Sequence, residues 1–176
     1  IRPFFARLRD AYDDLPQVVE HLRVMEEDVV HNLASFLPDE ETEPDLRRYE
    51  INLFVNHSET KGVPVVMELN PTFGNLMGRM EHELRQGMMV PHFTTLRAGS
   101  LHRANGGYLL LYARDLHRRR GAWAALQRAL QSEEIRLQMP ESMRGAQILA
   151  GSLEPEPIPL HVKVILLGSE EPVSYT

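Results

Sequence analysis

LHRANGGYLLLYARDL, residues 101–116, is the stretch on which the fold turns. Gly106-Gly107 punctuates the chain, and Tyr108–Tyr112 follows as an apolar run with no polar face. Such a run reads as a strand buried in a parallel sheet rather than one half open to water. A second run of the same kind, VKVILLG at 162–168, is the best buried-strand candidate in the chain. Helical patterns alternate with these runs, which implies a layered α/β fold with a largely parallel sheet.

Upstream, Tyr49–Val55 and Val63–Leu69 are β-rich and separated by NHSETKG, a hairpin-like signal. After Asn70-Pro71-Thr72 the spacing of Leu76, Met77, Met80 and Leu84 predicts a helix over 73–86, ended by Gly87. Met88-Met89-Val90-Pro91-His92-Phe93 is apolar with a proline inside it, and reads as a loop or short ribbon. Downstream, Trp123, Leu126 and Leu130 mark a helix near 122–131, Ile135 and Leu137 a short strand, and 140–160 an irregular, proline-rich stretch.

The chain opens on helical spacing at Phe4, Phe5, Leu8 and Tyr12. Asp13-Asp14-Leu15-Pro16 then supplies a cap and an early-turn proline. From Leu15 through Val18, Val19, Leu22, Met25, Val29, Val30, Leu33 and Phe36 the apolar positions predict a long amphipathic helix over 15–37. Its partner is either this domain's own core or a neighbouring subunit. Residues 38–48, PDEETEPDLRR, read as an acidic, proline-bounded linker.

Composition removes several classes of function. The chain has 176 residues and no cysteine, so disulfides and thiolate zinc sites are impossible and a reducing, cytoplasmic compartment is expected. No apolar run approaches the roughly 20 residues of a membrane span. A net charge of -6 argues against a general nucleic-acid or acidic-membrane binder. Only Lys61 and Lys163 are lysines among the 19 basic residues. An interface role, a warm environment or genome composition each accounts for that arginine bias.

Motif searches are mostly negative. No G-x-x-x-x-G-K-[ST] phosphate loop is present, and Lys61 precedes Gly62 in a turn between strands, away from any helix N-terminus. His82-Glu83 starts a zinc-protease pattern, but Gln86 stands where the second histidine would be. The eight histidines, His92 and His102 included, show no ligand spacing, and no metal site is expected. Ser100 with His102 two residues on makes a poor nucleophile pair.

Four blocks carry a family resemblance: RYEINLFVNH (48–57), GVPVVMELNPTFGNLMGRMEH (62–82), TTLRAGSLHRANGGYLLLYARDL (94–116) and SLEPEPIPLHVKVILLG (152–168). Together they resemble the ATPase module of Lon-type proteases, in the Lon-related branch with large helical insertions. LHRANGGYLLL is the most specific of them. The resemblance implies a partial AAA+-like sheet over 49–176, of the P-loop NTPase type, preceded by a helical arm (1–37) and the acidic linker (38–48). It places Tyr108–Tyr112 as the Walker B strand. In an active ATPase two acids follow such a strand, one holding Mg²⁺ through water and one orienting the attacking water. Tyr112 and Ala113 stand at those positions, and neither a neutral phenol nor a methyl group does that work. Asp115 comes two to three residues late.

On the same resemblance, Ser169 follows the sensor-1 strand, and Met88, Met89, Val90 and Phe93 are candidates for contact with unfolded polypeptide. Arg79, Arg97 and Arg103 are candidates for subunit interfaces. The expected function is the non-proteolytic module of a Lon-like Ser–Lys protease. It assembles a ring, expected to be hexameric, that gates unfolded substrates without ATP. No catalytic residue, cofactor or metal is assigned to this chain, and the Ser–Lys pair is expected in a downstream protease domain. Two alternatives stand: a fragment of an ATP-dependent Lon using ATP and Mg²⁺, with its phosphate loop elsewhere, and a nucleic-acid-binding or adaptor module built on Arg118-Arg119-Arg120. Without its phosphate-loop strand, Val162–Leu167 becomes a sheet edge expected to be covered by the 15–37 helix, by 140–160 or by further protein.

Overall fold

The computed structural model describes residues 1–36, 46–85, 88–137 and 156–168, with the backbone alone at 35, 47, 82–85 and 88–92. It forms two compact units, Ile1–Ile51 and Asn52–Thr176.

The first unit pairs α1 (Arg2–Ala11) with α2 (Pro16–His31). Pro3 and Pro16 occupy first turns, where the missing N–H would have no partner anyway. Phe5 and Leu22 are buried, and the Arg9–Glu26 ion pair joins the two helices. The helix expected over 15–37 is shorter. The Asn32 backbone N–H and Nδ2 both donate to the Asp28 carbonyl at 2.9 Å, closing α2 after His31. Leu33–Phe36 then forms a 3-10 turn, and residue 37 lies outside the described part. The apolar stripe is also narrower than its spacing implies: Val18, Val19, Met25 and Val29 are half-buried, while Val24 and Val30 are exposed. Tyr49 closes the unit, its hydroxyl donating to Asp28 Oδ2 at 2.6 Å and its ring packing on Phe36.

The second unit contains β1 (Val65–Glu68), α3 (Phe73–Met77), β2 (Arg79–Arg85), β3 (Met88–Arg97), α4 (Ser100–Arg103), β4 (Tyr108–Tyr112), α5 (Ala113–His117), α6 (Arg120–Ser132), β5 (Glu134–Ile135), β6 (Ile158–Pro159) and β7 (Lys163–Leu167). As the apolar runs predict, β1, β4 and β7 form a parallel sheet in the order β1-β4-β7. β4 is its centre. Leu109 and Leu111 are fully buried on one face, against Leu76, Leu101, Leu116 and the α6 stripe Ala122, Ala125, Leu126 and Ala129. Of the three apolar markers used to predict that helix, only Leu126 is in this core; Trp123 and Leu130 are partly exposed. The short alanines form the inward stripe instead.

The opposite face of the sheet is apolar and open to solvent. Val65, Met67, Tyr112 and Ile165 are between 41% and 64% exposed. The outer edge of β7 has no strand partner among the described residues, and Ile165 and Leu166 are exposed there. The expected cover is therefore not found within the described part of this unit. Residues 138–155 lie outside it.

Two expectations about elements fail here, each for a local reason. Tyr49–Val55 makes no strand, so there is no hairpin with β1. Instead the Asn52 side-chain amide donates to the Phe93 and Leu96 carbonyls at 2.9 and 3.2 Å, fixing the segment by a side chain rather than a ladder. The helix expected over 73–86 stops at Met77. Thr72 Oγ1 caps its start by accepting from the Asn75 N–H at 3.1 Å. Gly78 then turns at φ 82, a conformation open to glycine and strained for other residues. A Cβ there would lie 2.6 Å from the Arg97 carbonyl oxygen. After the turn the chain runs as β2, antiparallel to β3, with Arg79 opposite Arg97 and Arg85 opposite Met88. The apolar stretch predicted as loop or ribbon is thus one strand of a long ribbon.

Candidate functional site

In a parallel α/β sheet, ligands meet the loops at the carboxyl ends of the strands. The amino ends here are closed by the LHRANGG segment. Gly106 N–H donates to the His161 carbonyl (2.8 Å), Tyr108 N–H to the Pro64 carbonyl (2.8 Å) and Lys163 N–H to the Gly107 carbonyl (2.9 Å). The Asn105 side chain adds a two-way clamp, donating to the Pro159 carbonyl at 2.8 Å and accepting from His161 N–H at 2.7 Å. The most distinctive stretch of the sequence therefore ties three strands together at their amino ends.

At the carboxyl ends, Glu68 leaves β1 with Oε1 accepting from Asn70 N–H at 2.9 Å and Oε2 lying 3.6 Å from Arg103. Asn70 is the hub of this rim. Its carbonyl accepts from Asn75 Nδ2 at 2.9 Å, and its Oδ1 accepts from Arg119 Nη2 at 2.6 Å. β4 ends at Tyr112, 41% exposed, and Ala113 is already the first residue of α5. Asp115 lies in the first turn of that helix, off the strand altogether. The rim thus presents a phenol and a methyl group where β4 ends. Among the described residues, no group of three His, Asp or Glu side chains gathers to hold a metal ion.

A family model described as "LonB-like, AAA domain" matches residues 61–175. The chain belongs to the LonB-like AAA domain family. A comparison with curated proteins finds no match. The three strands, their parallel order and the helices on one face fit an AAA-type module, and an AAA domain points to oligomeric assembly in general. No described helix of this LonB-like chain is long and apolar enough to cross a membrane.

The other residues singled out from the sequence are scattered. Arg79 and Arg97 both pair with Glu81, at 3.1 and 2.8 Å, at the base of the ribbon. The two guanidiniums hold the Glu81 carboxyl below its usual pKa, Arg97 most strongly, so this carboxylate relieves two arginines facing each other across the strands. Arg103 is engaged with Glu68. Met88, Met89 and Val90 lie where β3 leaves the ribbon tip, five to three positions before Phe93 on the same strand. Ser169 lies outside the described residues.

His102, which the sequence offered only as an incidental histidine and a poor partner for Ser100, is a buried polar group of this unit. It is 4% exposed. Its Nδ1 accepts from Gly99 N–H at 3.2 Å, and Phe54 meets the ring edge-on at 4.7 Å between centroids. Its Nε2 is buried without a partner among the described residues, and burial pulls its pKa down to about 4. Ser100, the neighbour that sequence spacing offered as a nucleophile, donates instead to the Asn75 carbonyl at 3.0 Å. No spacing in the sequence announces Phe54, 48 positions away, as the lid on this ring.

Proposed function

We propose that this LonB-like module neither binds nor hydrolyses ATP usefully and serves a Lon-like protease as a passive, ring-forming gate for unfolded polypeptide. The observation that carries this reading is the end of β4, which closes on Tyr112 with Ala113 opening α5; on this reading the phenol and methyl group stand at the positions of the two acids an AAA engine needs. A neutral phenol and a methyl group at the end of β4 cannot hold Mg²⁺ or orient an attacking water, the work the two acids do in an active engine. Titration calorimetry with Mg-ATP is expected to show no binding in the micromolar range. Micromolar heats would overturn the reading.

The gate is assigned to the β2–β3 ribbon. A two-stranded ribbon, antiparallel from Arg79–Arg97 at its base to Arg85–Met88 at its tip, supports this assignment. So does the chemistry of Met88, Met89, Val90 and Phe93, since thioether and aromatic groups adapt to varied unfolded chains. Serine at Met88, Met89 and Phe93 in the parent protease is expected to slow degradation of an unfolded protein several-fold. Cleavage of a short peptide, which needs no gate, should be unchanged. Equal turnover of unfolded protein by variant and parent would remove the gripping role. The open apolar face of the sheet also supports a module that works packed against further protein.

A further inference from the structure

The β2–β3 ladder changes register at one place. Met80 pairs with Leu96 and His82 with Pro91, so β2 advances two residues while β3 advances five. An irregularity of this kind bends a strand and re-aims whatever lies beyond it, here the ribbon tip. Asn52 reaches this bend from outside the ribbon. Its Nδ2 donates to the Phe93 carbonyl at 2.9 Å, inside the longer span, and to the Leu96 carbonyl at 3.2 Å, at its end. An amide NH2 has two hydrogens, so one side chain can hold both carbonyls at once. Burial then alternates as in an extended chain: Leu53 is 71% exposed between the half-buried Asn52 and Phe54. Phe54 meets the buried His102 ring edge-on, and that ring is tied to Gly99 N–H, two residues past the end of β3. The segment therefore grips the ribbon at its bend and rests on a group fixed to the ribbon's exit.

We propose that Asn52 is a positioning residue for the ribbon: through the Phe93 and Leu96 carbonyls it sets the angle at which the Arg85–Met88 tip is presented, with Phe54 against His102 as its seat. The inference rests on the ribbon's assignment as the gate above, and names what holds that gate. Two hydrogen bonds from a side chain 41 and 44 positions away fix the bend where a regular ladder would leave it straight. Losing them loosens the ribbon locally, because the parallel sheet and its core do not depend on them.

Amide hydrogen exchange of the full chain, and turnover by the parent protease, test this on Asn52→Asp, Asn52→Ala and Asn52→Gln. Aspartate keeps the shape but turns acceptors towards both carbonyls, whereas glutamine keeps the amide hydrogens. In the aspartate and alanine variants the amides of β2 and β3 should exchange about tenfold faster, the worth of one or two lost hydrogen bonds. Those of β4 should keep their parental rates, and glutamine should recover part of the protection. In the protease, the ratio of unfolded-protein to short-peptide turnover should fall several-fold with aspartate and partly recover with glutamine. Ribbon amides that keep parental rates in both variants overturn the proposal. So does equal acceleration in β2, β3 and β4, which would make Asn52 a contributor to the whole fold. If serine at Met88, Met89 and Phe93 slows unfolded-protein turnover but Asn52→Asp does not, the gate stands and its positioning by Asn52 falls. If neither slows it, the gate reading falls, and faster exchange confined to the ribbon would still support Asn52 as the residue that holds it.

Discussion

Replacing Gly107 by alanine is expected to lower the stability of the second unit by about 3 kcal/mol or more, the upper range for forcing atoms into a packed site. A Cβ built there would sit 1.9 Å from the Pro64 carbonyl oxygen, and 2.9 Å from the Pro64 carbonyl carbon and Cδ. Those atoms are backbone and ring, so they cannot swing aside as the end of a long side chain can. The same oxygen accepts the Tyr108 N–H that starts the β1–β4 ladder. Relieving the clash would therefore pull the sheet open at its amino end. Gly106, one residue earlier, is the control. It has a positive φ of 82 but nothing within 4 Å of an added Cβ. Alanine there strains the backbone alone, by about 1 kcal/mol. Trp123, the one tryptophan of the chain, lies in α6 of this unit, so urea unfolding followed by its fluorescence reads the unit directly. Equal midpoints for the Gly106 and Gly107 variants would refute the close approach.

That contrast shows what kind of information the sequence carried. Tyr108–Tyr112 and Lys163–Leu167 were legible because unbroken apolar runs mark the strands of a parallel α/β sheet, although only β4 lies between two strands and Ile165 and Leu166 of β7 stay exposed. Gly106-Gly107 read as punctuation, although only Gly106 needs its positive φ; Gly107 is there for lack of room. The same ambiguity hid Gly78. Leu76, Met77, Met80 and Leu84 satisfy a helical period, yet a glycine at positive φ, with no room for a Cβ beside the Arg97 carbonyl, divides them between α3 and β2. Tyr49–Val55 had strand composition without a strand beside it, and composition cannot supply the partner. At the candidate site, the apolar run ended the strand at Tyr112 and left Asp115 beyond it; that Asp115 falls in the first turn of a helix did not follow from the run. The rim around Asn70 did not, because Arg119 and Asn70 are 49 positions apart.

The His102 ring makes the second large effect one of pH. The Gly99 N–H occupies Nδ1 as a donor, so the neutral ring must carry its proton on Nε2. Charging the ring puts a proton on Nδ1 against that N–H and strands a cation beside Phe54 with no carboxylate bonded to it among the described residues. Burial accordingly holds its pKa down to about 4, below the ordinary 6.5. The sign follows directly. Above pH 6.5 neither state binds the proton and the ring contributes no pH dependence. As pH falls from 6.5 towards 4 the unfolded chain takes up the proton and the folded one does not, so stability is lost. The loss amounts to about 2 kcal/mol at pH 5 and levels off near 3 kcal/mol below pH 4. Carboxylates titrate over part of this range, so the measurement is a difference. His102→Asn keeps an acceptor within reach of Gly99 N–H and cannot titrate. Its unfolding free energy should fall less between pH 7 and pH 5 than that of the parent, by about the same 2 kcal/mol. Parallel slopes for the two proteins would mean that the ring takes up its proton without disturbing the fold, and that Phe54 does not seal it from water.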